Sequence, residues 1–88
     1  MTYVLRIKES AEKALAKLPK PDRIRVDQHI LALTGNPRPS GAIPLKGGGK
    51  GLWRVRVGDW RIVYQIQDDL LIVLVINVAH RREVYRGL

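Results

Sequence analysis

The run from Leu52 to Val78, LWRVRVGDWRIVYQIQDDLLIVLVINV, keeps strand periodicity almost throughout and is broken only by short polar connections. Strands are expected at Leu52 to Val57, Trp60 to Ile66 and Leu70 to Val78. Connections as short as GD and QDD cannot carry a parallel crossover, so consecutive strands have to be antiparallel neighbours. With GD as a two-residue turn, Val57 faces Trp60, Val55 faces Ile62 and Trp53 faces Tyr64, which makes one continuous apolar face. The opposite face holds Leu52, Arg54 and Arg56 on one strand and Arg61, Val63 and Gln65 on the other. The third strand is apolar on both faces, as a central strand is.

The segments before this meander have a different period. TYVLRI alternates and predicts a first strand. ESAEKALAKLP sets Ala11, Ala14, Leu15 and Leu18 at helical spacing, with Glu9 and Glu12 near the positive end of the helix dipole and Pro19 as the stop. KPDRIRVDQHILALTGNP predicts a second helix opened by Pro21, with Val26, Ile30 and Leu33 on one stripe and Gly35, Asn36 and Pro37 ending it. GNPRPSGAIPLKGGGKG has neither period and predicts a loop, with Ile43 and Leu45 pinning it to the core. The expected fold class is α+β: an N-terminal strand, a two-helix hairpin, then an antiparallel three-strand meander. These form a four-stranded sheet with the helices on one face. At 88 residues the chain is expected to be one domain, 1–88, with any site on the surface of its single core.

Composition narrows the chemistry. The chain has no cysteine, which excludes disulfides, thiol nucleophiles and thiolate metal sites. No apolar run has the length of a membrane span, and MTYVLRIKES carries no signal-peptide segment, so a cytoplasmic protein is expected. LKGGGKGL is not a phosphate loop, because Pro44 stands where the first glycine of that pattern belongs and Gly51 follows Lys50. No HExxH motif or carboxylate cluster suggests a metal, and no cofactor is expected. His29 reads as an exposed or packing residue. Ser10 and Ser40 lack a nucleophile context, and Ser10 reads as a helix-start residue.

Sixteen Lys and Arg against eight Asp and Glu give a net charge of +8, which points to a polyanionic partner. The placement of the charge is more telling than its sum. Arg56 is expected directly across from Arg61, with Arg54 diagonal to it, and like charges so opposed cost about 0.2–1 kcal/mol per pair. Between Lys46 and Ile66 there are five basic residues and one acid, Asp59, and the tail adds Arg81, Arg82 and Arg86 against Glu83. This balance favours an anion from outside the chain over internal pairing. Arginine suits phosphate, because its planar fork donates two hydrogen bonds and keeps its charge. The antiparallel register brings the chain after Val78 to the turn end of the hairpin, where Arg81 can approach Arg61. RNA supplies its own nucleophile, the 2′-hydroxyl, so cleavage needs in-line positioning, a proton acceptor, a proton donor and charge stabilisation. Arginine is a poor proton acceptor, which leaves Lys46, Lys50 or His80 to assist. Tyr85 suits either packing of the tail or stacking on an unpaired base.

The blocks WRVRVGDWRIVYQI and VINVAHRREVYR, behind a two-helix start and a TGNPRP loop, resemble the RelE/ParE superfamily of toxin–antitoxin toxins over essentially the whole chain. The resemblance implies a metal-independent, ribosome-dependent endoribonuclease that cuts the A-site codon of mRNA. It also implies a cognate acidic, RelB-like antitoxin. Carried over by position, Arg61 matches the arginine that stabilises the transition state, Arg81 the one assigned to the leaving group, and Tyr85 the tyrosine that stacks on the base. Arg54 and Arg56 fall where the best-known branch has lysines. Lys46, Lys50, His80 and Arg82 complete the expected RNA-binding set. The superfamily also includes ParE toxins that inhibit DNA gyrase without the nuclease residues, and a basic binding protein without catalysis is a third possibility.

Overall fold

The computed structural model describes residues 2–46 and 51–84, the last two as backbone. Its elements are β1 (Val4–Ile7), α1 (Glu9–Ala16), α2 (Lys20–Ala32), β2 (Ile43–Pro44), β3 (Leu52–Val57), β4 (Trp60–Gln67), β5 (Ile72–His80) and α3 (Arg81–Val84). The class is the expected α+β, but the sheet has five strands, in the order β1-β5-β4-β3-β2. The added strand, β2, comes from the segment expected to be loop. Ile43 pairs with Arg54 and Pro44 with Trp53, and the Leu45 N–H donates to the Leu52 carbonyl at 2.9 Å. Ile43 is 46% exposed, so the backbone, not this side chain, ties the segment down. Proline is tolerated there because β2 is an edge.

The meander is antiparallel throughout, whereas β1 runs parallel to β5, so the sheet is mixed. The short-connection argument never applied to β1, which lies far from β5 in sequence. Between β3 and β4 the pairs are Trp53–Tyr64, Val55–Ile62 and Val57–Trp60, as the two-residue turn requires. Against this face α1 buries Ala11 and Leu15, α2 buries Val26 and Ile30, and Leu18 and Leu33 close the helix ends. Each such fully buried aliphatic side chain contributes about 1.5–3 kcal/mol.

A β-bulge sits in β5 where Val63 pairs with Asn77 but Tyr64 pairs with Val75, leaving Ile76 as the extra residue. Without it, Asn77 would turn into the core. With it, Val75 and Val78 both point inward, at 0% and 3% exposure. The freed Ile76 carbonyl accepts the Ser10 hydroxyl at 3.0 Å, so Ser10 ties α1 to the bulge instead of capping the helix, whose N-cap is Lys8. The strand also starts later and ends later than the sequence predicts. Leu70 and Leu71 belong to the β4–β5 turn, where Leu71 has a φ of 53°, and His80 closes the strand.

The segment between α2 and β2 is fixed by three aromatic residues. Tyr64, fully buried, donates to the Pro37 carbonyl at 2.7 Å. Arg38 pairs with Asp68 at 2.7 Å, and its guanidinium lies 5.3 Å from the Trp53 ring. Tyr3 donates to the same carboxylate at 2.7 Å.

Candidate nucleic-acid interface

The β3–β4 turn, Val57 to Trp60, organises the cationic end of the sheet. Gly58 has a φ of 59°, while Leu71 is the one non-glycine residue with positive φ among the described residues, so Asp59 has a negative φ. Positive φ at the first central position alone is the type II′ hairpin turn, which matches the twist of the strands it joins.

Arg56 pairs directly with Arg61 across β3 and β4, and Arg61 pairs on its other side with Ala79 of β5. Arg61 is therefore flanked on both sides and is 5% exposed, the buried charged residue of this sheet. Its Nη1 donates to the carbonyls of Gly58 and Trp60, at 3.3 and 3.2 Å, and its Nε has no hydrogen-bond partner among the described residues. Carbonyl dipoles, not a carboxylate, hold this charge. Among the described residues neither Arg56 nor Arg61 has an ion pair.

Arg81 arrives from the other side of the same turn. As the first residue of α3 its N–H donates to the Asp59 carbonyl at 2.7 Å, and its Nε stands 3.9 Å from the Asp59 carboxylate. At that separation, with half of each side chain in solvent, the pair is loose. Arg54 is half-buried on the same sheet face, opposite Val63, one step further from the turn.

The remaining predicted residues are not gathered here. His80 pairs with Trp60, and the two rings meet edge to face at 5.4 Å, so the imidazole stands on the helix side of the sheet, away from Arg61. The bulge causes this by shifting the phase of β5. Arg82 is exposed, and its N–H donates to His80 Nδ1 at 3.4 Å. Lys46 is exposed beyond β2, at the opposite end of β3 from the turn, about 17 Å away at the usual rise per residue. Lys50 and Tyr85 lie outside the described residues.

One cation at the turn was missed in the sequence. Arg25 of α2 rests its guanidinium against Gly58, and Asp22, three residues earlier, accepts a hydrogen bond from Trp60 Nε1 at 3.2 Å. The sequence signal is limited to the i, i+3 spacing of these two residues, which sets them on one side of the helix. Behind the turn, a groove of about 460 Å³ runs between α1 and the end of β5, with Leu18, Trp60 and Val78 among its lining and Lys13 and Lys17 beside it.

The family profile of the ParE toxin of the type II toxin–antitoxin system parDE matches residues 5–85. The chain belongs to the RelE/ParE superfamily of toxin–antitoxin toxins. Its sequence is 31% identical over 87 residues to Toxin RelG of Mycobacterium tuberculosis, covering 98% of this chain and 99% of that protein. In structure it resembles the toxin of the archaeal RelE–RelB complex from Pyrococcus horikoshii, with a TM-score of 0.81 and 30% identity over 92% of this chain and 97% of the other. The RelBE2 toxin–antitoxin complex of Mycobacterium tuberculosis gives a TM-score of 0.81 at 28% identity, covering 92% and 100%. The hairpin end of this RelE/ParE toxin thus sets a buried, carbonyl-held arginine beside two further arginines. Guanidinium groups in general bind phosphate oxygens through charge-assisted, bidentate hydrogen bonds.

Proposed function

We infer that this toxin is a ribosome-dependent, metal-independent endoribonuclease that cuts mRNA in the ribosomal A site. The 2′-oxygen of the message attacks the adjacent phosphorus, the P–O5′ bond breaks, and the products are a 2′,3′-cyclic phosphate and a 5′-hydroxyl. One proton leaves the 2′-hydroxyl and one reaches the departing 5′-oxygen. Arg61 stabilises the charge that builds on the phosphorane, Arg81 serves the leaving oxygen, and Arg54 and Arg56 orient the backbone. Tyr85 stacks on the base, and Lys46, Lys50 and Arg82 meet flanking phosphates. His80, turned toward Trp60, reaches the message only by rotating around the sheet end.

The observation that carries this reading is the convergence of Arg56, Arg61 and Arg81 on one turn, with carboxylates absent from the first two among the described residues. Placing three guanidinium groups together costs free energy that an arriving phosphate returns. Transition-state charge is where such preorganised donors have their largest effect.

An acidic, amphipathic antitoxin is the natural inhibitor, since it has to cover the same cations. The solved relatives in complex with RelB support this, and the groove that mixes Leu18, Trp60 and Val78 with Lys13 and Lys17 suits an amphipathic segment with acids at its edge. The target, and hence the site of action, is cytoplasmic.

The match to the ParE profile favours a second reading, inhibition of DNA gyrase. Induced expression separates the two. The nuclease reading expects growth arrest with messages cut within translated codons, relieved by Arg81→Ala. Arrest with intact messages and inhibited gyrase supports the alternative.

A further inference from the structure

The amino end of α2 is fastened to the hairpin turn through the Asp22–Trp60 hydrogen bond of 3.2 Å. Arg25 follows on the same side of the helix, so the contact that anchors the helix also aims this arginine. A Cβ at residue 58 would meet Arg25 Nη2, so glycine admits the guanidinium as well as the positive φ. Among the described residues the Arg25 side chain has no hydrogen bond or ion pair, whereas its neighbour Arg23 has Asp27 at 3.7 Å. Its donors are therefore open, at a turn whose Gly58 carbonyl is taken by Arg61 and whose Asp59 is shared with Arg81.

We propose that Arg25 is a further phosphate-binding residue of this toxin, taking an RNA phosphate beside the one held by Arg56, Arg61 and Arg81. The proposal rests on the nuclease reading above. Arg25 comes to the turn that also carries Arg56, Arg61 and Arg81, without a carboxylate of its own among the described residues, and α2 supplies it from the side that the hairpin cannot reach. The phosphate belongs either to the message or to ribosomal RNA, which present the same oxygens to the fork.

The test compares the full-length toxin, freed of antitoxin, with Arg25→Ala, Arg25→Lys and, for equal charge loss, Arg23→Ala. Binding to bacterial ribosomes, with and without a short message, is followed across salt concentration, and cleavage of the message is mapped. Loss of one phosphate contact lowers the slope of log K against log salt by about 0.7–1. Arg25→Ala is expected to show that decrease and about a 10- to 100-fold loss of kcat/KM with the cut position unchanged. Arg25→Lys is expected to keep the slope and recover part of the rate, and Arg23→Ala to match the parent. A slope change seen only with message assigns the phosphate to mRNA, and one seen in both assigns it to ribosomal RNA. If the parent binds and cuts but Arg25→Ala behaves like Arg23→Ala, Arg25 holds no RNA. If it instead weakens only the antitoxin complex, its partner is a carboxylate and the proposal is wrong. A parent that neither binds nor cuts overturns the nuclease reading itself.

Discussion

Tyr64 shows how one residue joins core and loop. Its ring fills the centre of the helix-facing side while its hydroxyl supplies a buried hydrogen bond to the Pro37 carbonyl, and burial pushes its pKa up to about 12. Tyr64→Phe keeps the packing but leaves that carbonyl unpaired. A loss of about 1–3 kcal/mol is expected in denaturant unfolding. Asp68 does the same work at the surface, where hydrogen bonds from Arg38 and then Tyr3 hold its carboxyl below the ordinary value of 3.8. A carboxylate with a depressed folded pKa lends stability that is fully present above about pH 5 and is lost as pH falls through the folded value. Acid titration of unfolding is thus expected to show a weakening that Asp68→Asn lacks, since the amide does not change charge over this range. An equal acid sensitivity in both proteins would remove Asp68 as its source.

At the scale of elements, the type II′ turn determines how the site is assembled. Gly58→Ala places a side chain at a φ of 59° and against Arg25, so the variant is expected to unfold with a stability lower by about 1–2 kcal/mol. If stability is unchanged in a chemical melt, the turn geometry is not what fixes the hairpin. The hairpin pairing itself was legible in LWRVRVGDWRIVYQI, because a two-residue connection leaves one register that buries Trp53, Val55 and Val57 together with their partners. Three features were not legible. Strand β2 hides in a Pro- and Gly-rich segment whose pairing uses backbone atoms that every sequence has. The bulge at Ile76 is marked in VLVINV only by Asn77, whose amide belongs on the outer face but does not say where the phase shifts, and it is the bulge that carries His80 away from the arginines. Arg25 lies on a helix whose docking angle is a tertiary fact.

The whole molecule divides its surfaces by chemistry. Helices cover one face of the sheet, and the opposite face carries the arginines toward the hairpin end. Of the net charge of +8, the part at the hairpin end includes Arg56 and Arg61, which have no ion pair among the described residues. The approach of Arg81 to the Arg61 end of the sheet was legible because register arithmetic brings the strand ends together. The near-complete burial of Arg61 was not, because it depends on both neighbours, Arg56 and Ala79, closing over it. On the proposed nuclease reading, Arg61 exchanges the Gly58 and Trp60 carbonyls for phosphate oxygens, so weak neutral partners hold it ready. The central claim is that this end of the molecule cuts RNA. Purified toxin added to a bacterial in vitro translation reaction, with mRNA ends mapped at nucleotide resolution, tests it most directly. The expected result is new ends inside translated codons that need ribosomes, persist in excess chelator, and fall by at least about 100-fold with Arg81→Ala. Full-length message throughout, with translation or gyrase supercoiling nonetheless blocked, would contradict it.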